Sequence, residues 1–160
     1  MYWQPITRTN QIARSLADSH YNRKSTGHRE WLPGCTEYVA LLGEDAASLW
    51  ACCYQRYRRD KLDCFDNTYF RHVREINSMD ATALIREAVQ LTLQFAISNP
   101  KDGIITFIDP KAVKPTFIHS VPTWGMTYVK AGFHFHGVTA GGKLRFQYLP
   151  PRLFLVAKVG

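Results

Sequence analysis

The stretch from Cys64 to Asp109 constrains this chain most, because it reads as strand, polar loop, helix, strand. Cys64 to Arg71 is rich in aromatic and small residues and ends on Phe70-Arg71, and His72 to Asp80 is polar. From Ala81 onward, Leu84, Ile85, Ala88, Val89, Leu91, Leu93, Phe95 and Ile97 keep one side of a helix apolar. Ser78, Asp80 and Thr82 lie at its expected N-cap, with Arg86 and Glu87 in the first turns. Asn99-Pro100 ends the helix, because the residue before a proline avoids the helical region. Gly103 to Asp109 then reads as a buried strand closed by Pro110. Such a βαβ unit, with a helix N-terminus at the mouth of a sheet, suits a phosphate or a carboxylate.

The flanking segments supply the rest of a sheet. Thr9 to Ser19 reads as a short amphipathic helix capped by Thr9 or Asn10, with Ile12, Leu16 and Ala17 on one side. His20 to Pro33 is a polar, basic loop carrying Tyr21 and Trp31. Thr36 to Leu42 and Ala46 to Cys53 read as a hairpin across Gly43-Glu44-Asp45, followed by the most basic loop, Tyr54 to Asp63. Beyond Pro110, Lys111 to Thr123 is expected to be irregular, and Trp124 to Ala131 to be a short helix ended by Gly132. Phe133 to Thr139 reads as a strand with Phe133 and Phe135 on one side and His134 and His136 on the other. It turns at Ala140-Gly141-Gly142 into Leu144 to Leu149, and Leu153 to Val159 is expected to add a last short strand. The expected class is α/β, a single domain over residues 1–160 whose central mixed sheet is flanked by helices.

Composition narrows the partners. The 160 residues suffice for one domain with one core, and no apolar run approaches the roughly 20 residues that span a bilayer. The start, MYWQPITRTN, lacks the apolar region of a signal peptide, so an intracellular protein is expected. The four cysteines, Cys35, Cys52, Cys53 and Cys64, form no CxxC pair and read as free thiols. Adjacent Cys52 and Cys53 are not expected to point inward together on a strand. The formal charge of +7 favours an anionic partner such as nucleic acid.

This order of elements matches the GNAT acyltransferase fold, in which a mixed sheet holds acyl-CoA where its central strands splay. Local sequence resembles phage and actinobacterial GNAT-like proteins more specifically. The matching stretches are His20-Tyr21-Asn22-Arg23, Gly27, Trp31, Pro33-Gly34 and Tyr38 to Leu42 at the start, and then Phe70-Arg71 and Leu84 to Val89. Ile105 to Pro110, Ala131-Gly132-Phe133 and Gly137-Val138-Thr139 complete the resemblance, which covers roughly residues 15 to 149. That group is similar to the Mom-type DNA modification proteins of phages. The resemblance implies transfer of a small group from acyl-CoA or a related donor to the exocyclic amine of adenine in double-stranded DNA, hiding sites from restriction. The chain departs from the group in three places. A FRNE-like run is here Phe70-Arg71-His72-Val73-Arg74-Glu75, a Ser-Ser pair is Ala81-Thr82, and the glycine-bearing pyrophosphate loop is missing.

Within that fold Asp109 faces the splayed mouth, where its carboxylate could accept or steer the proton of an attacking amine; equally, Asp-Pro opens a turn. His20 and Tyr21 lie in the loop that covers the acceptor site, one as a proton relay and the other as a stacking surface for a base, or else as a helix cap and a core residue. Arg71, Ser78, Thr82 and Arg86 are candidates for the donor's phosphates, against a plain capping role in which Asp80 would repel a phosphate. Arg56, Arg58, Arg59 and Lys61, with Tyr54 and Tyr57, form one basic-aromatic cluster for DNA; Arg23, Lys24, Arg29 and Trp31 form a second. Metal use stays open: His134 and His136, two apart on one strand face, could ligate a metal with a third ligand such as His119 or Cys64, but read better as an exposed strand face. Three functions stay open: a DNA adenine-modifying transferase, an acetyl-CoA-dependent N-acetyltransferase on another amine, and a non-catalytic DNA-binding protein.

Overall fold

The computed structural model describes residues 1–23 and 26–151. Lys24 and the strand expected over Leu153 to Val159 lie outside the described residues. In chain order the elements are β1 (Trp3–Pro5), α1 (Gln11–Asp18), β2 (Glu37–Gly43), β3 (Ser48–Tyr54), β4 (Phe65–His72), α2 (Ala81–Phe95) and β5 (Ile104–Ile108). There follow β6 (Thr116–Ile118), β7 (Val121–Thr123), α3 (Met126–Lys130), β8 (His134–Val138) and β9 (Leu144–Tyr148). Seven strands form one mixed sheet in the order β1-β2-β3-β4-β5-β9-β8, and β6 and β7 pair by themselves.

Both faces of the central strands are covered, and β3 shows why. Its Trp50 and Cys52 face α2, while Leu49, Ala51 and Cys53 face α1 and residues 31 and 32. Cys52 and Cys53 point to opposite faces, as strand alternation requires, and both are buried because each face has a covering layer of its own. Two indoles lock the helix to the sheet. Trp3 Nε1 donates to the Leu84 carbonyl at 3.0 Å, and Trp50 Nε1 donates to Thr92 Oγ1 at 2.9 Å.

The expected hairpins, the βαβ unit and the two outer helices all form, with shifts of one to three residues at their ends. Asn10 caps α1 by accepting from the Ala13 N–H, but the buried stripe is Ala13 and Ala17, and Ile12 points outward. β1 was not expected, and neither was the β6–β7 hairpin inside the supposedly irregular segment. Among the described residues no helix is long and apolar enough to cross a membrane.

Candidate active site

β4 and β5 pair in parallel at Phe65 with Ile104, Asp66 with Ile105 and Asn67 with Thr106. There the ladder stops, although β4 continues to His72 and β5 to Ile108. A bulge on the other side of β4 accounts for the parting. Ala51 faces Tyr69 and Cys52 faces Asn67, so Thr68 is the extra residue that bends β4. The bulge also changes side-chain parity, since Phe65 and, five residues on, Phe70 both pack toward α2.

Asn67 holds this distortion together. Its Nδ2 donates to the Ala51 carbonyl at 3.0 Å and to the Tyr69 carbonyl at 3.1 Å. Its Oδ1 accepts the Tyr128 hydroxyl at 2.8 Å and the Thr106 hydroxyl at 3.3 Å. The floor of the splay is thus a hydroxyl network, with Tyr128 supplied by α3. Burial pushes the Tyr128 phenol well above its usual range, so it keeps its proton.

The loop after α1 bridges the parted strands. The Asn22 Nδ2 donates to the Thr68 carbonyl at 2.8 Å, and the His20 ring bonds the Phe70 carbonyl, both on β4. On the β5 side the Tyr21 hydroxyl donates to the Phe107 carbonyl at 3.2 Å and takes a bond from the Asp109 backbone N–H. These side chains take up backbone groups that a paired neighbour would otherwise satisfy. His20 stacks on Tyr21 with ring centres 4.4 Å apart, and its Nδ1 accepts the Asn22 N–H at 3.1 Å. Burial, with the nearby Arg71 charge, lowers its pKa to about 4, so the ring is neutral at ordinary pH.

Two cavities meet at Tyr21. One, of about 530 Å³, is lined by Arg71, Arg74 and Lys114, together with His20, His72 and Ala81 at the start of α2. The Arg71 Nε is buried there without a hydrogen-bond partner. A phosphate-bearing donor fits this orphaned donor and its cationic neighbours. The helix itself offers less, because the Asp80 carboxylate already accepts the Thr82 and Ala83 N–H groups at 3.3 Å. The other cavity, of about 580 Å³, is lined by Asp66, Asp109 and Glu30, by Tyr21, Asn22 and Asn67, and by Lys143. Burial raises the Asp66 carboxyl despite Arg58, whose Nη1 lies 3.4 Å away.

Of the residues singled out in the sequence, Arg71, His20, Tyr21 and Asp109 converge on this junction. Asp109 lines the larger cavity, and its Oδ1 accepts the Lys111 N–H at 2.9 Å, closing the expected turn. Several others need correction. Arg86 donates to the Lys130 carbonyl at 2.6 Å and so caps the end of α3 instead of facing a phosphate. Thr82 is buried and Ser78 is exposed, and neither lines the cationic cavity. Arg23 pairs with Asp18 at 2.8 Å and donates to the Trp31 carbonyl, and Trp31 is fully buried; neither side chain is on a DNA-facing surface. Arg58 is held by Asp60 at 2.7 Å and by Asp66, while Arg29, Arg56, Arg59 and Lys61 are exposed. His134 and His136 are exposed on β8, and among the described residues no group of three metal-ligating side chains forms. Arg74, Lys114, Asp66, Glu30 and Tyr128 were missed, since only the tertiary fold brings them to the site.

The comparisons agree with this architecture. The structure is similar to a spermidine N-acetyltransferase, a SpeG chimera from Vibrio cholerae and hSSAT, with a TM-score of 0.53 over 98% of this chain and 96% of that one, at 15% identity. The fold is thus GNAT-like, a mixed sheet flanked by helices. No family model matches the chain, and no curated protein matches it in sequence.

Proposed function

We propose that this chain is an N-acyltransferase that moves an acyl group from a phosphate-bearing thioester, an acyl-CoA, to a small cationic amine. One observation carries the reading. A cationic cavity and a carboxylate-lined cavity share Tyr21 at the point where β4 and β5 part. Group transfer needs two differently charged reactants held side by side, and this is their chemistry. The similarity to an amine acetyltransferase supports it.

Arg71, Arg74 and Lys114 would hold the donor's phosphates, and when bound the thioester supplies the activated acyl carbon. Glu30 draws the amine into its cavity by charge, and Asp66, already paired with Arg58, offers it a further acceptor. Asp109, next to Tyr21, takes the proton that the amine nitrogen must lose. Tyr128 keeps a proton at the floor of the splay. The test is release of free CoA from acetyl-CoA with a panel of amines, spermidine among them, and mass analysis of the products. Asp109→Asn should lower kcat by roughly 10²–10⁴-fold with little loss of stability, because an asparagine can still accept the Lys111 N–H. Full activity in that variant removes Asp109 as the base, and no acylated amine from any panel member removes the reading.

A second reading keeps the chemistry and changes the acceptor to an adenine amine in double-stranded DNA. The exposed Arg56, Arg59 and Lys61 favour it, since they follow β3, whose Cys53 lines the acceptor cavity. A flipped base would reach the same carboxylates. Nucleoside mass analysis after incubation with DNA and acetyl-CoA tests this arm.

A further inference from the structure

A row of hydrogen-bonded side chains runs from the surface to the wall of the cationic cavity. Asp45, in the turn between β2 and β3, accepts the Tyr2 hydroxyl at 2.6 Å and the Ala47 N–H at 3.0 Å on Oδ1, and the Asn77 side chain on Oδ2. The Tyr2 oxygen lies 2.8 Å from the fully buried Ser48 Oγ, which lies 2.8 Å from His72 Nδ1. The other ring nitrogen, Nε2, is 3.1 Å from the carbonyl of Met79, the residue before the Asp80 cap of α2. Ser48 and His72 face each other across β3 and β4, so strand pairing sets the central contact. His72 lines the cavity together with Arg71, Arg74 and Lys114.

These contacts outnumber the protons of a neutral row. Four contacts join Asp45, Tyr2, Ser48, His72 and the Met79 carbonyl, and each needs one hydrogen. Tyr2 and Ser48 bring one each, and a neutral imidazole brings one. The carbonyl has none to give. Asp45 has none either: burial opposes its charge, but the bonds from Tyr2, the Ala47 N–H and Asn77 outweigh burial and hold it below the usual carboxylate range. Burial and the bond to Asp45 push the Tyr2 phenol up to about 12, so Tyr2 keeps its proton. The missing hydrogen belongs on His72.

We propose that this row holds His72 as the imidazolium and makes it a fourth cation of the donor cavity, acting on the donor's phosphates by charge, with Asp45, Tyr2 and Ser48 as positioning residues; the role at the cavity rests on the donor reading above. Hydrogens then point one way, from Nδ1 to Ser48, from Ser48 to Tyr2 and from Tyr2 to Asp45, while Nε2–H donates to Met79. Arg71, Arg74 and Lys114 share the cavity and oppose the ring's charge. Asp45 and Glu87, which both accept from Tyr2, and Asp80 beyond Met79 favour it, and His20 is neutral. A phosphate among the cations removes their opposition, so donor and proton favour each other reciprocally.

The test is nitrogen NMR of the labelled full chain in neutral buffer, with His72→Gln identifying the His72 signal. The parent ring should be imidazolium. In Tyr2→Phe it should turn neutral, because the Ser48 and Nε2 protons then fill both remaining ring contacts; Ser48→Ala should do the same. Affinity for CoA, by calorimetry, should fall as His72 loses its proton, by up to about tenfold per pH unit. The 3′-phosphate of CoA gains charge as pH rises and would act in the opposite sense, and in His72→Gln the fall should vanish. A neutral His72 in the parent, or an unchanged ring in a Tyr2→Phe chain that melts cooperatively, overturns the proposal. A fall in affinity that survives in His72→Gln overturns the role at the cavity. An imidazolium in a protein that binds no CoA keeps the hydrogen-bonded row and removes the donor reading alone.

Discussion

At the scale of single residues, the loop after α1 works through hydrogen bonds that only particular protonation states allow. The His20 Nδ1 accepts the Asn22 N–H, and the ring bonds the Phe70 carbonyl, so a neutral ring satisfies both contacts and an imidazolium loses the first. Its folded pKa of about 4 lies below the ordinary 6.5. As pH falls from 6.5 toward 4, the unfolded chain binds a proton that the folded chain does not, so stability is full above this window and is lost within it. Melting temperature should therefore drop across the window, and in His20→Gln, whose side chain stays neutral, the drop should shrink. Equal slopes for both proteins would assign the acid sensitivity to other groups. Tyr21 is the second case. Its hydroxyl bonds the Phe107 carbonyl and the Asp109 N–H across the place where a donor would enter. Tyr21→Phe leaves no such bonds to break, and a net bond is worth about 1 kcal/mol. Affinity for CoA, measured by calorimetry, should rise about fivefold, whereas an unchanged affinity would place the donor clear of Tyr21.

At the scale of elements, the start of α2 sets stability against binding. The Asp80 carboxylate caps the helix and stands near the cavity of Arg71, Arg74 and Lys114, which Ala81 also lines. Asp80→Ala should cost about 1 kcal/mol of stability by loss of the cap. The same change removes a negative charge near the cationic cavity and frees two N–H groups, so CoA should bind more tightly. A less stable variant with weaker CoA binding would show that the donor does not approach this helix end. The helix, both long hairpins and the βαβ order were legible in sequence because period and turn residues are local signals. β1 was not, being three residues that end on Pro5 and owe their conformation to pairing with β2. The β6–β7 turn was hidden as well, since His119 and Ser120 adopt positive φ of 49° and 64° without a glycine or asparagine to announce it. The bulge at Thr68 has no local mark, so the splay could be expected only through resemblance to a fold. The same limit explains the misread cations: Arg86 and Lys130 meet across 44 residues of chain, and no spacing rule foretells that contact.

At the scale of the whole molecule, the sign of the net charge and the sign of the acceptor cavity point to different partners. The formal charge is +7, and Arg56, Arg59 and Lys61 are exposed between β3 and β4. Yet the cavity that would receive the acceptor carries Glu30, Asp109 and the Arg58-paired Asp66 against Lys143, and the one arginine in its wall, Arg23, is already paired with Asp18. Carboxylates in a concave site act on a small cation at close range, where screening is weak, whereas exposed cations act on a polyanion through counterion release. The two contributions are therefore separable by mutation and by salt. Replacing Arg56, Arg59 and Lys61 together by alanine should reduce the slope of log affinity for double-stranded DNA against log salt by up to about 2.7, at about 0.9 per phosphate contact. The same triple variant should acylate a small cationic amine at the parent's rate, since none of the three lines the acceptor cavity. Asp66→Asn should do the converse, raising KM for the amine while leaving the DNA slope unchanged. If the triple variant instead loses turnover with small amines, the basic loop belongs to the acceptor site. If the parent modifies DNA and the triple variant does not, the acceptor is a base, and the carboxylates serve its exocyclic amine in place of an ammonium ion.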